Sequence, residues 1–291
     1  MPQVPLRPPK APSLPIATVD YQQGYIDQLT SALRLYFNQI DNGMAAVLSP
    51  AGGGILQFPN GAFHQDGYTT LTSPLSNNST TPIQVVSTTG FLSAGTLLIE
   101  QELINYTGKT ATTFTGITRG VYGSTNVSHN ANVYVAEAQA VPSPTAALPL
   151  IMTVTDASNE VALDATDKSK VVFAIAGYYN IQFSAQLLNF TNQIDNVTFW
   201  FRQNTQDVAN TAGIESVPAK HAGGAGSAVV SWNVVLPVDA GDNIQLVMHS
   251  NSGNTVASTY PPGTAPVHPA SPSIILTATF VSALYPDPAI L

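Results

Sequence analysis

The sequence predicts a mainly β protein built in series. An N-terminal Pro-rich arm and one helix, forming a trimeric coiled coil, precede a small β module and a C-terminal antiparallel jelly-roll sandwich. Three observations predict this. A single heptad stretch lies near the start, with Ile26, Leu29, Leu33, Tyr36, Ile40, Gly43 and Val47 spaced 3, 4, 3, 4, 3, 4. Short strand-like runs between turn residues follow over 83–137. Long runs of strict apolar/polar alternation fill 150–283.

Residues 1–19 carry Pro2, Pro5, Pro8, Pro9, Pro12 and Pro15. Proline fixes φ and lacks an N–H, so this stretch is an extended arm and not a ladder strand. An ordered arm of this kind lies along a partner surface, which makes Pro8, Pro9 and Pro12 anchoring residues. Asp20 caps a helix over 20–48, which ends at Pro50 and the glycines 52–54. A lone helix of this length is marginal in water. No second helical pattern follows, so the seam Ile26, Leu29, Leu33, Tyr36, Ile40 and Val47 pairs with copies of itself. Tyr25, Tyr36 and Phe37 make one side aromatic. Aromatic side chains dominate interface energies, so Tyr25 and Phe37 join the anchoring set.

Residues 49–82 read as a loop region with one short strand near Tyr68–Leu71. In the module over 83–137 the candidate strands are 83–87, 96–99, 103–107, 112–115 and 133–135, with a tight turn at Thr107, Gly108 and Lys109. Residues 138–149 hold three prolines and four alanines and read as a linker. Over 150–283, Tyr179, Ile181, Phe183, Ala185 and Leu187 share a face. So do Val197, Phe199 and Phe201; Val230, Trp232, Val234 and Leu236; Ile244, Leu246 and Met248; and Ile274, Leu276, Ala278 and Phe280. Regular strands with one apolar face and no intervening helices make a two-sheet sandwich of jelly-roll type. Residues 284–291 form a C-terminal tail.

Composition narrows the function. Charged residues make up 9% of the chain, against ~25% in typical soluble domains. Such an uncharged polar surface suits a protein packed against many neighbours, or one exposed in variable salt. The net charge is −8 and no basic run occurs, so nucleic acid is not an expected partner. The chain has no cysteine, hence no disulfide framework. No segment approaches ~18 consecutive apolar residues, so no membrane span is expected. The start has no apolar core of signal-peptide length, which implies synthesis without a signal peptide.

Catalytic patterns are scarce. His64, His129, His221, His249 and His268 lack the spacing of a zinc site. Gly223, Gly224 and Gly226 precede a strand, not the helix that phosphate cradling needs. Glu100 and Glu102 stand two apart and would share one strand face. A buried Glu102–Arg119 pair is a more economical use of the motif than glycoside hydrolysis, and His129 reads as a turn hydrogen-bonder. No catalytic, metal-binding or cofactor residue is expected, and the chain is read as a non-enzyme. Trp200 and Arg202 lie on the polar side of their strand, which suggests a trimer interface or a glycan contact.

Three stretches carry resemblances. Leu35–Asn42 resembles the N-terminal helix of virion structural proteins of tailed bacteriophages, where a Pro-rich arm precedes it as well. Gly90–Gly108, with Phe114, Gly116, Arg119, Gly120, Gly123, Ser124 and His129, is similar to a small β module of phage tail and fibre proteins; Glu102-x-Ile104-x-Tyr106-Thr107 and Arg119-Gly120 are its specific pieces. Ala176–Phe183 and Leu236–Leu246 resemble the Gly-x-Tyr and Gly-Asp signatures of tumour-necrosis-factor and complement-type jelly rolls, which form trimers. Together these imply a structural component of a phage virion: a homotrimeric surface appendage, of tail-fibre or spike type, anchored by its arm and helix. It would project a jelly roll for host-surface attachment. The implied partners are copies of itself, other virion proteins (portal, tail or major capsid protein) and a host-surface glycan. The implied location is the particle surface, after synthesis in the host cytoplasm. A capsid decoration, cement or head-fibre protein is an alternative, and a carbohydrate-binding surface protein or glycan-active enzyme a second.

Overall fold

The structure, a computed structural model, describes residues 12–14, 16, 22–48, 58–264 and 266–284. It divides into two compact units, Met1–Phe58 and Pro59–Leu291. The expected cap Asp20, the anchoring residues Pro8 and Pro9, and the end of the tail from 285 lie outside the described residues.

In the first unit the helix α1 runs Gln23–Leu48. The Gln22 carbonyl opens it by accepting from the amides of Tyr25 (3.1 Å) and Ile26 (3.3 Å). The heptad becomes a stripe of reduced exposure: Leu29, Leu33, Tyr36, Ile40, Gly43 and Val47 are half-buried. Leu35, Phe37 and Met44, off the stripe, are more than half exposed. Ile26 departs from the seam reading. It is 40% exposed, and its neighbour Tyr25 takes the shielded position. Pro12 is half-buried.

The second unit is antiparallel β throughout its paired strands. In chain order its strands are β1 (Asn60–Gln65), β2 (Tyr68–Thr70), β3 (Ile83–Gln84), β4 (Gly95–Ile99), β5 (Glu102–Tyr106), β6 (Gly108–Lys109), β7 (Thr113–Thr115) and β8 (Tyr134–Ala140). They continue with β9 (Leu148–Pro149), β10 (Val154–Asn159), β11 (Val161–Leu163), β12 (Val171–Phe173), β13 (Gly177–Asn189), β14 (Asp195–Gln203) and β15 (Gln206–Asp207). The last are β16 (Gly213–Val217), β17 (Gly226–Val238), β18 (Asn243–Ser250), β19 (Thr255–Ser258), β20 (Gly263–Thr264), β21 (Val267–His268) and β22 (Ile274–Ser282).

A ten-stranded sheet runs β10-β1-β22-β13-β19-β8-β4-β5, with β17 also on β13 and β2 on β8. A seven-stranded sheet runs β11-β12-β18-β14-β15, with β16 on β14 and β9 on β18. Two small sheets, β3-β7-β6 and β20-β21, complete the set, and the whole curls as a half-barrel. Strict alternation drives this arrangement. Tyr179, Ile181, Phe183, Ala185 and Leu187 from β13 meet Val197, Phe199 and Phe201 from β14 and Ile244, Leu246 and Met248 from β18 in one core. Burying a side chain of this kind contributes about 1.5–3 kcal/mol. The faces read from the sequence for β13, β14, β18 and β22 are those that point inward.

The long strand β13 joins two sub-sheets. One edge pairs with β17 over its full length, from Gly177↔Val238 to Asn189↔Gly226. The other edge pairs with β22 from Tyr178 to Ala185, then with β19 from Leu187 to Asn189. Through β19 and β8 the small module therefore continues the sheet of the C-terminal block.

This corrects three readings of the sequence. The loop region holds β1, which lies between β10 and β22 and sends Phe63 into the main core. Residues 138–149 are not a free linker. Ala138, Gln139 and Ala140 pair with β19, Leu148 and Pro149 pair with β18, and the Gln139 side chain bonds both the Ile151 amide and carbonyl at 2.8 Å. Finally, the turn placed at Thr107–Lys109 falls at Thr110–Thr113, where the Thr110 amide meets the Thr113 carbonyl at 2.9 Å.

Candidate functional site

The chemistry-bearing residues of the module converge on Glu102. The ladder pairs Ile99 with Glu102, leaving Glu100 and Gln101 as a two-residue turn between β4 and β5. Glu100 adopts φ 54°, a conformation usual for glycine or asparagine. The two acids thus do not share a strand face as their spacing predicts: one is a turn residue and the other begins a strand.

Arg119 grips Glu102 with Nε on Oε1 and Nη2 on Oε2, both at 2.6 Å. The Gly120 and Val127 amides donate to the same carboxylate at 3.1 Å, and His129 Nε2 bonds it at 2.8 Å. Arg119 also donates to the carbonyls of Ser76 (2.8 Å) and Val127 (2.6 Å). His129 Nδ1 meets Glu100 Oε2 at 2.7 Å. Since both ring nitrogens face carboxylates, which only accept when ionised, the ring is an imidazolium. Two cations then balance two anions in a pocket where Glu102 and His129 are 0% exposed.

Burial alone would raise the Glu102 carboxyl. Arg119, then His129 and the Val127 amide, overcome it and hold the group at about 2. Burial likewise opposes the charge on His129, and Glu102, then Glu100, raise it above the usual imidazole range. A carboxylate has about four acceptor sites. Five donors saturate Glu102, leaving nothing for proton transfer to a substrate. The buried Glu102–Arg119 pair read from the sequence is present. His129 is more than a turn residue, since its ring locks the turn to the strand.

A second buried acid was invisible in the sequence. Glu137, in β8, is 0% exposed and accepts from the Tyr106 hydroxyl at 3.0 Å and the Leu92 amide at 3.3 Å. Burial pushes its carboxyl up to about 8, and Tyr106, the Leu92 amide and Lys109 offset this only in part. A Cβ at Gly95 would stand 2.8 Å from Glu137 Oε1 and 3.3 Å from the Tyr106 hydroxyl, so a larger residue there would have to displace this pair.

The open chemistry lies beside this lock. A pocket of about 540 Å³ sits between the β4–β5 turn, the start of β17 and Tyr260. Leu98, Ala136 and Leu188 form an apolar floor, and Tyr134 and Tyr260 add aromatic walls. Glu100, Gln101 and Ser227 supply polar groups. A smaller pocket of about 260 Å³ shares Gln101 and Ala225 with it and includes Lys220. The Ala225 amide donates to Gln101 Oε1 at 2.9 Å where the two meet. The glycine-rich stretch before β17 folds as a tight turn, with Ala222 at φ 48° and Gly223 at φ 84° and paired bonds between His221 and Gly224.

The sequence's own surface candidates lie elsewhere. Trp200 and Arg202 alternate with the core residues Phe199 and Phe201, as read, and neither lines the pocket. Arg202 Nε instead donates to Asp207 Oδ1 at 2.7 Å across the β14–β15 hairpin. Among the described residues no cluster of three metal-ligating side chains occurs, and no helix is long and apolar enough to cross a membrane. Compared with known proteins, the chain matches no family and no curated protein.

Proposed function

We propose that this chain is a structural component of a phage virion: a homotrimeric surface appendage held by its N-terminal arm and helix and projecting its β unit outward. The observation that carries the reading is the stripe on α1. Leu29, Leu33, Tyr36, Ile40 and Val47 form one continuous apolar seam on a 26-residue helix, with no second helix among the described residues. Such a seam is stable when it meets copies of itself or a docking surface. Phe37 and Met44, more than half exposed on other faces, leave apolar surface for a particle protein to cover.

The strand order supports the jelly-roll part. Strands β12, β13, β14, β17, β18 and β22 fall by turns in the two large sheets, with β16 staying beside β14, so that β1-β22-β13-β17 lie in one sheet and β12-β18-β14-β16 in the other. The reading is a structural role, supported by the saturation of Glu102, the buried acid of the motif, by Arg119, His129 and two backbone amides. The virion identity itself rests on the sequence resemblances of the helix and the module.

Anchoring tests the reading. Deleting residues 1–19 should weaken incorporation into particles, and deleting 1–48 should abolish it, measured as copy number per purified particle. A protein lacking 1–48 that reaches wild-type copy number would move the anchor to the β unit and overturn the proposed orientation.

A further inference from the structure

We propose that the pocket beside the β4–β5 turn binds a neutral glycan, seating a short chain of uncharged pyranose rings. This rests on the reading above, in which the β unit is displayed where host sugars are met.

The walls match the two-sided character of a sugar ring. A pyranose presents C–H groups on its faces and hydroxyls around its rim. Tyr134 and Tyr260 offer rings for the faces, above the apolar floor of Leu98, Ala136 and Leu188. Tyr134 is itself braced edge-on by Tyr68, with centroids 6.5 Å apart. The rim finds complementary polar atoms. Glu100 commits Oε2 to His129, and its Oε1 has no partner among the described residues. Gln101 commits Oε1 to the Ala225 amide, and its Nε2 is likewise unpartnered among the described residues. One wall thus holds a fixed acceptor beside a fixed donor, with the Ser227 hydroxyl nearby. A volume of about 540 Å³ falls within the ~300–1,000 Å³ of small-ligand pockets.

The backbone points the same way. Glu100 holds a left-handed conformation in a turn where glycine would be free of strain, and the buried His129 ring fixes its carboxylate. The lock described above therefore aims a charged side chain at the mouth of an apolar pocket.

Charge selects the ligand class. The Glu100 carboxylate on the wall and a net charge of −8 disfavour acidic sugars. His129 holds one oxygen of Glu100 and offsets its charge in part, which leaves a wall that repels an acidic ring without calling for a fully cationic ligand. Lys220 lies in the smaller pocket, and because that pocket shares Gln101 and Ala225 with the larger one, the site extends beyond a single ring.

The test is saturation-transfer NMR on the purified full chain with maltotriose, cellotriose and N,N′-diacetylchitobiose, and with trigalacturonic acid as the acidic counterpart. At least one neutral probe should bind saturably, and trigalacturonic acid about tenfold more weakly or not at all. Ser227→Trp, which fills the pocket from its exposed lip, should abolish binding with the melting temperature unchanged. Glu100→Gln should weaken binding about tenfold. Absence of saturable binding by all three neutral probes, equal affinity for the acidic one, or wild-type affinity in Ser227→Trp would overturn the inference. A chain that assembles on particles and binds no sugar sinks this inference alone. One that binds sugar and is absent from particles sinks only the virion reading.

Discussion

Arg119 and Glu102 meet through two parallel 2.6 Å bonds, and His129 closes the carboxylate from its other side. The three residues come from β5, the loop after β7 and the approach to β8. Backbone bridges already join Asn105 to Thr118 and Leu75 to His129, and the lock ties these two bridged pairs together through side chains.

Arg119→Lys should destabilise the β unit nearly as much as Arg119→Ala. A single ammonium cannot reproduce the planar fork, and a buried carboxylate left short of donors costs about 3–5 kcal/mol. Denaturant titration of the variants reads this directly; a loss within experimental error of zero for Arg119→Lys would refute it. The same lock sets an acid limit. Glu102 titrates at about 2 when folded and near 4.5 when unfolded, so its stabilisation is complete above 4.5 and is lost as pH falls toward 2.

Glu137 acts in the opposite direction. Its folded value of about 8 lies above its unfolded one, so between about 4.5 and 8 the folded state binds a proton that the unfolded state has released. Stability therefore falls as pH rises through that window, by up to about 1.4 kcal/mol per pH unit from this group. His129, also raised, adds a loss above its unfolded range near 6.5. Glu137→Gln should flatten the slope and leave the variant more stable than the parent at pH 8. Identical pH profiles for the two proteins would show that Glu137 is charged in the fold.

Residues 150–291 alone should not form a stable fold. That fragment lacks β1, which supplies Phe63 to the main core, and β8, which pairs β19. A fragment of residues 59–291 should give dispersed amide spectra, and 150–291 a collapsed or aggregated one. A well-dispersed spectrum from 150–291 would restore the boundary that the Pro/Ala composition suggests.

Assembly should follow the seam. Light scattering of the full chain should give about three times its 30.5 kDa mass. The double variant Leu33→Glu, Ile40→Glu places charges on two seam positions and should shift the protein toward monomer, with the β-unit melting transition retained. A parent that is monomeric at micromolar concentration would rule out the seam as an assembly device.

The sandwich strands were legible because large apolar residues alternate with polar ones over many residues, as in Tyr179 to Leu187. β1 was not, because its inward positions are Gly61, Phe63 and Gln65. Gln65 is fully buried on hydrogen bonds to the Gly90 carbonyl and the Thr153 hydroxyl, a satisfaction that no periodicity reports. β8 was legible only at its start, read as a strand over 133–135, for a similar reason. Its run of Ala136, Glu137, Ala138 and Gln139 looks like solvent-exposed connection, yet the alanines pack in a core with Leu98, Leu103 and Leu188 while the polar side chains find partners behind them. At the site, Glu102–Arg119 was readable from motif residues close in sequence. The pocket was not, since Leu98, Tyr134, Leu188 and Tyr260 come from segments distant in sequence and share no local pattern.

The placement of β1 has a mechanical consequence. The chain enters the β unit through this strand, which pairs β10 from Asn60 to His64 on one edge and meets β22 on the other at Gln65↔Ile274, with the Phe280 amide bonding the Pro59 carbonyl at 3.0 Å just before it. A strand tethered at the rim of a sheet peels away one ladder bond at a time under tension. A strand flanked on both edges and pulled along its own axis must shear its ladder bonds together. Under the proposed N-terminal anchoring, that geometry turns ordinary backbone hydrogen bonds into a grip that resists pulling.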